Sequence, residues 1–121
     1  MKKFILGRLK SIQYVFVGMS RLLLTEHAII TQCIIGLFFL SISVYFNISR
    51  IEWMFLVFSI GLVLTVESLN TAIELTCNFI HPDYNEKIGM IKDIAAGAVG
   101  FAVIFALINA FIIFYPYIVN F

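Results

Sequence analysis

Residues 53–80 have the sequence WMFLVFSIGLVLTVESLNTAIELTCNFI, and this stretch decides the fold of the chain. It is apolar enough to enter a membrane except at Glu67, Asn70 and Glu74. At about 100° per helical residue, these three side chains fall within about 60° of one another on one face of a helix. Acidic side chains in a membrane helix are costly and usually face a protein interior or a wet cavity. We therefore expect a functional site here, with a cation as its partner.

The composition is that of a membrane protein. The chain has 121 residues, of which 62% are hydrophobic and 12% charged, whereas a soluble domain averages about 45–50% apolar and 25% charged residues. This length predicts a single domain over residues 1–121. A net charge of +1 argues against a nucleic-acid-binding surface. Cys33 and Cys77 lie in apolar runs and are interpreted as packing residues rather than a disulfide or a metal site.

Three segments, 28–46, 53–77 and 94–114, are each near the ~20 residues needed to cross a bilayer. Residues 3–25 form a different pattern, with apolar side chains at helical spacing and basic ones off that stripe, which predicts an amphipathic helix along the membrane interface. The alternative is a basic flank that only orients the first span. The predicted fold class is all-α, with three transmembrane helices after an amphipathic helix. The apolar stripe consists of Ile5, Leu9, Ile12, Phe16, Met19 and Leu23.

The distribution of Lys and Arg predicts the orientation. Seven cationic residues flank the spans on one side, and Arg50 alone lies on the other. The excess of Lys and Arg in short flanks marks the cytoplasmic side, so the N-terminus and the loop at 81–92 are expected there. The seven residues are Lys2, Lys3, Arg8, Lys10, Arg21, Lys87 and Lys92.

Depth suggests different tasks for the two glutamates. Glu67 follows Trp53 by about 20 Å of helix, two-thirds of the way to the cytoplasmic face, and Glu74 lies about 10 Å further along. A carboxylate at acyl-chain depth is suited to accept a proton from a hydroxyl, and one near the headgroups to bind Mg²⁺. Glu26, just before the first span, is the expected second metal ligand. The alternative is that Glu67 is protonated and packs against Asn70 as a structural contact.

The polar segment at 81–93, HPDYNEKIGMIKD, is longer than a hairpin requires. Lys92 offers a cation for phosphate oxygens, and Asp93 is expected to cap the third span. The alternative is a solvated loop. The small residues that follow are interpreted as helix-packing positions rather than ligand contacts, and Pro116 is expected just past the span. The sequence contains neither a GxxxxGK[ST] phosphate loop nor the soluble protein-kinase motifs.

The segment ESLNTAIE at 67–74, followed eighteen residues later by Lys92-Asp93 and a small-residue helix, resembles the prokaryotic integral-membrane diacylglycerol kinase family. The shared pattern is E-x-x-N-[ST]-A-x-E with a K-D pair, and the resemblance covers nearly the whole chain. It implies ATP- and Mg²⁺-dependent phosphorylation of a lipid alcohol in the bacterial inner membrane, by a homotrimer whose active sites use helices from neighbouring subunits. Members act on diacylglycerol or undecaprenol; the family name favours diacylglycerol. Lys10, Tyr14, Gly18 and Glu26 fall at the family's spacings.

The resemblance also implies residue roles. Glu67 would be the general base with Asn70 in support, and Glu26 and Glu74 would be the metal ligands. Glu67 and Ala96 would contact the lipid. The ATP site would consist of Tyr14, Glu26, Glu74, Asp83, Tyr84, Asn85, Lys92 and Asp93.

The sequence departs from the family pattern in two places, and the first is Arg8, which is displaced by a position or two from the family's N-terminal arginine. The second is Asn78, which stands where the family usually has Asp, on the same helix face as Glu67, and the lost negative charge is expected to weaken cation attraction at the cytoplasmic end. Outside the kinase class, an embedded glutamate is also typical of proton-coupled transporters, although a transport carboxylate is expected near the midplane. A non-catalytic assembly subunit would have no use for these carboxylates together with the loop and the Lys-Asp pair.

Overall fold

The structure, a computed structural model, describes residues 1–121 and is entirely helical. Its four helices are α1 (Lys2–Thr25), α2 (His27–Phe46), α3 (Arg50–Ile80) and α4 (Glu86–Val119). The last three are each long and apolar enough to cross a membrane, and α1 is not among them. The predicted fold class, three spans after an N-terminal helix, is confirmed.

The turn between α2 and α3 explains why α3 begins three residues before the predicted span. Asn47 ends α2 in the left-handed region at φ 54°, a conformation that Asn tolerates better than most residues. Ser49 and Glu52 then form a capping box: the Ser49 backbone N–H donates to Glu52 Oε1 at 2.9 Å, and the Glu52 N–H donates to Ser49 Oγ at 3.3 Å. These bonds satisfy amides that the first turn leaves free, so α3 starts at Arg50.

The connection between α3 and α4 is shorter than predicted. Asn85 caps α4 by accepting the Lys87 backbone N–H at 2.9 Å, and α4 begins at Glu86. The prediction that Asp93 caps the third span was therefore wrong, because Asp93 lies two turns inside the helix. Pro116 likewise lies within α4 rather than beyond it. Hydropathy marks where a helix enters the membrane, whereas caps decide where the helix itself begins.

Aromatic packing holds the end of the bundle that carries the α2–α3 turn. The Phe39 and Phe46 rings lie 5.8 Å and 6.4 Å from the Phe114 ring. Beside them, the Tyr117 hydroxyl donates to Glu52 Oε1 at 2.5 Å and joins α4 to the first turn of α3. The buried members of this cluster are Ile48, Leu56, Ile113 and Phe114.

A second hydrogen bond joins α3 to α4 further along their length. Asn109 Nδ2 donates to Ser59 Oγ at 2.8 Å, and Ser59 is buried. Polar side chains that bond across two membrane helices stabilise their packing. Asn109 is the only strongly polar side chain of the third predicted span, residues 94–114, and it therefore has a hydrogen-bond partner.

Most residues of the single chain are exposed. Only 15 of the 121 residues are buried, and the accessible area is 9416 Å², whereas a soluble monomer of this mass exposes about 6,600 Å². The excess is apolar and includes large side chains along every helix. Such a chain requires lipid, further copies of itself, or both around it.

Replacing Asn109 with Leu or Ser59 with Ala should each lower the free energy of unfolding in detergent micelles by about 0.5–1.7 kcal/mol, because each removes the interhelical bond. The double variant should lose little more than either single variant, since both substitutions remove the same interaction. Denaturant-induced unfolding followed by circular dichroism measures these differences.

Ser41→Ala is the matched control, because the Ser41 hydroxyl donates only to the Leu37 carbonyl of its own helix. Fully additive losses for Asn109→Leu and Ser59→Ala would contradict the pairing.

Candidate active site

Three polar side chains are buried near the middle of α3. Glu67 and Asn70 are each 8% exposed and Thr71 is 7% exposed. Asn70 Nδ2 donates to Glu74 Oε1 at 3.3 Å, one helical turn further on. The structure thus brings Asn70 and Glu74 into contact along the face that also carries Glu67, and Glu74 is the exposed member at its end.

The hydrogen bonds of this segment leave two acceptors free. The Thr71 hydroxyl donates to the Glu67 backbone carbonyl at 3.1 Å and the Ser68 hydroxyl to the Leu64 carbonyl at 2.7 Å, so neither serves the Glu67 carboxylate. Asn70 Oδ1 is buried and has no hydrogen-bond partner. An unpaired buried acceptor costs about 1–3 kcal/mol. Glu67 and Asn70 can therefore accept hydrogen bonds from a hydroxyl or a water that enters the site.

Small residues of α4 lie opposite this face. Ala95 and Ala102 are buried, at 7% and 4% exposure, and α4 packs along the length of α3. Methyl side chains let the helix backbones approach closely and leave room for the longer side chains of α3. Ala96, predicted to contact the lipid, is exposed beside Ala95.

At the loop end, Lys92 Nζ donates to Asn78 Oδ1 at 2.6 Å. Both residues were predicted to lie near the site, but their contact was not predicted, because fourteen positions separate them in the sequence. The register of an antiparallel helix pair, which brings together residues on either side of the connecting loop, could have predicted the contact between Asn78 and Lys92. Lys92 is half-buried and Asn78 is exposed, so this contact lies at the edge of the bundle.

The start of α4 borders an open depression of about 630 Å³. Tyr84 and Asp93, both predicted to bind nucleotide, line it together with Gly89. A Cβ built on Gly89 would lie 3.5 Å from the Tyr84 ring, so the ring lies directly over this glycine. The Asp83 carbonyl bonds the His81 ring at 2.8 Å, which orders the loop. The remaining lining residues are Glu86, Lys87 and Met90.

Two further predicted nucleotide residues, Tyr14 and Glu26, lie on or beside α1. Tyr14 is 70% exposed on a helix that packs against α2 and buries none of its own residues. Glu26 is half-buried at the junction of α1 and α2, where the backbone is extended. The single chain therefore does not enclose Tyr14 in a site.

The donor set for a metal consists of carboxylates. No group of three or more His, Cys, Asp or Glu side chains in the chain could hold a metal ion. Mg²⁺, however, is commonly bound by one or two carboxylates together with phosphate oxygens and waters. Two glutamates, Glu26 and Glu74, fit that chemistry when a nucleotide supplies the other ligands.

Comparison with known proteins gives consistent matches. A family model described as prokaryotic diacylglycerol kinase matches residues 13–114. The diacylglycerol kinase of Escherichia coli K12 is 31% identical over 101 residues, which cover 84% of this chain and 83% of that protein. The undecaprenol kinase of Bacillus subtilis 168 is 39% identical over 70 residues, 58% of this chain and 57% of that protein.

Replacing Asn70 with Leu, of similar size, should leave the free energy of unfolding unchanged or raise it by about 1 kcal/mol. The substitution removes an unpaired buried acceptor and one long hydrogen bond, and replacing such a group by an apolar one of the same shape is nearly neutral or stabilising. Unfolding in detergent measures the effect. A loss greater than about 1 kcal/mol would contradict it and favour a structural role for Asn70.

Proposed function

The chain belongs to the prokaryotic diacylglycerol kinase family and is a membrane-embedded lipid kinase, and we propose that it transfers the γ-phosphoryl group of ATP to the primary hydroxyl of diacylglycerol. The product is then phosphatidic acid. The observation that carries the proposal is the buried Glu67 side chain beside the buried, unpaired Oδ1 of Asn70, in a helix that is otherwise largely apolar. An oxygen acceptor at this depth suits a hydroxyl that arrives from the bilayer.

The names of two relatives suggest two different lipid alcohols as the substrate. The diacylglycerol kinase of E. coli aligns with 84% of the chain, which favours diacylglycerol. The undecaprenol kinase of B. subtilis is more identical, at 39%, over a shorter segment. Undecaprenol is therefore the second candidate, and both alcohols belong in one assay.

In the proposed reaction, Glu67 is the general base. The lipid hydroxyl oxygen forms a bond to the γ-phosphorus as the bond to the β,γ-bridging oxygen breaks, the hydroxyl proton passes to Glu67, and ADP leaves. Asn70 would support the hydroxyl oxygen with the second hydrogen of its Nδ2, because only one of the two is donated to Glu74, while the single hydroxyl proton goes to Glu67. Ala96 would contact the lipid beside this point. Phosphoryl transfer depends mainly on positioning and charge stabilisation, and Glu67 and Asn70 both lie on one rigid helix.

The phosphates would bind at the loop end. Glu26 and Glu74 would hold Mg²⁺, which when bound neutralises charge on the phosphate oxygens. Lys92 would add a second positive charge. The nucleotide would lie near the depression at the start of α4, with contacts from Tyr14, Asp83, Tyr84, Asn85 and Asp93.

Assembly and orientation are part of the proposal. The excess of Lys and Arg supports a cytoplasmic N-terminus and a cytoplasmic loop before α4, on the side where ATP is available, for a protein of the bacterial inner membrane. A homotrimer is supported by the small number of buried residues and by the exposure of Tyr14 in the single chain. Neighbouring subunits would complete the sites.

Glu67→Gln should lower kcat for lipid phosphorylation by about 100-fold or more, because Gln cannot accept the proton. The KM for ATP should change little, since Glu67 lies a full two helical turns from Glu74. An ADP-release assay in mixed micelles with diacylglycerol, and in parallel with undecaprenol, measures both constants. The lipid that supports the higher kcat/KM identifies the substrate.

The matched control is Glu52→Gln, the same chemical change at the opposite end of α3, where Gln can still complete a capping box. Phosphate transfer at the full rate in Glu67→Gln would remove the general-base assignment. Failure of both alcohols to accept phosphate would remove the substrate proposal.

Glu74→Gln should raise the Mg²⁺ concentration for half-maximal activity by roughly tenfold or more, because an amide replaces a carboxylate ligand. A Mg²⁺ titration at saturating ATP and lipid measures the shift. The Glu52→Gln variant should keep the wild-type titration curve. An unchanged curve for Glu74→Gln would exclude Glu74 as a ligand.

A further inference from the structure

The contact between Lys92 and Asn78 is the only side-chain hydrogen bond that joins α3 to α4 near the loop. Lys92 Nζ lies 2.6 Å from Asn78 Oδ1, whereas the other two such bonds, at Asn109 and Tyr117, lie toward the opposite end of the bundle. A lysine side chain is a flexible four-carbon chain, so its ammonium group can take many positions. The bond to Asn78 fixes where its ammonium group lies.

The partner of Lys92 is neutral. An amide oxygen accepts one of the three ammonium protons and leaves two for other acceptors. It also leaves the full positive charge in place, whereas a carboxylate at the same position would cancel it. Asn78 therefore combines a fixed position with an uncompensated charge.

We propose that Asn78 is a positioning residue that holds the Lys92 ammonium for the phosphates of ATP and, because it is neutral, keeps the charge of Lys92 available to them. The inference rests on the proposed function, in which Lys92 contacts phosphate. Two substitutions of Asn78 test separately the position of the Lys92 ammonium group and the availability of its charge. Leu at residue 78 removes the acceptor without adding charge, and Asp keeps an acceptor but adds a negative charge.

The two substitutions should affect different kinetic constants. Asn78→Leu should lower kcat about tenfold, because the ammonium loses its anchor in the transition state. At saturating Mg²⁺, where cation attraction by residue 78 is not limiting, Asn78→Asp should raise the KM for ATP about three- to fivefold, and the rise should shrink at high salt, because the new charge is exposed and screened. Asn78→Gln, which keeps a neutral amide oxygen, should retain more of the wild-type kcat than Asn78→Leu does.

The matched control is Asn120→Asp, the same substitution at the far end of α4. It lies about 42 Å of helix from Lys92, well beyond the Debye length of about 8 Å, and should leave both constants unchanged. Unfolding midpoints of all variants in detergent separate a kinetic effect from a loss of fold.

Lys92→Met distinguishes the inference from the proposed function. If Asn78 acts through Lys92, adding Asn78→Leu or Asn78→Asp to the Lys92→Met variant should change its kcat and its KM for ATP by no more than about twofold. Loss of activity in Lys92→Met with wild-type constants in both Asn78 variants would overturn the inference and leave the kinase mechanism intact. Full activity in Lys92→Met would overturn the inference together with the proposed role of Lys92.

Discussion

The antiparallel register of α3 and α4 is the constraint on which the site depends. Three side-chain hydrogen bonds join the two helices, one near each end and one between them, and all three are centred on the same point of the loop, near residues 84 and 85. A shift of one helix by a single turn would break all three. The bonds join Glu52 to Tyr117, Ser59 to Asn109, and Asn78 to Lys92.

This register explains why α4 carries small residues where it packs against α3. It places Ala102 and Ala95 opposite the part of α3 that carries Glu67 and Glu74, so the acidic face meets methyl groups rather than bulky side chains. Helix packing then stays close while Asn70 Oδ1 remains without a hydrogen-bond partner. A structure selected only for stability would fill this position with an apolar side chain. The unpaired Oδ1 of Asn70 supports the catalytic role proposed for this face.

Hydropathy and helical spacing predicted the three spans and the acidic face, because a bilayer imposes both on the sequence. The start of α4 was predicted wrongly, since Glu86 and Lys87 are polar yet form good helix, and the cap is Asn85 rather than Asp93. The Asn78 contact was missed for a different reason. A single sequence shows which residues are unusual but not which distant residue each one contacts.

In the proposed function the site has an apolar end and an aqueous end, because its two substrates come from different media. A lipid hydroxyl reaches the bundle from the bilayer and ATP reaches it from water, so the reacting groups must meet where a single helix crosses from one medium to the other. Glu67 and Glu74 lie about 10 Å apart on such a helix, which spans that boundary. The aqueous end is the more open, because Glu74 is exposed and Tyr14 lies on a helix that buries nothing. The proposed mechanism therefore requires neighbouring subunits to contribute to the nucleotide-binding part of the site, whereas the proposed general base Glu67 and its neighbour Asn70 lie on one helix of one chain.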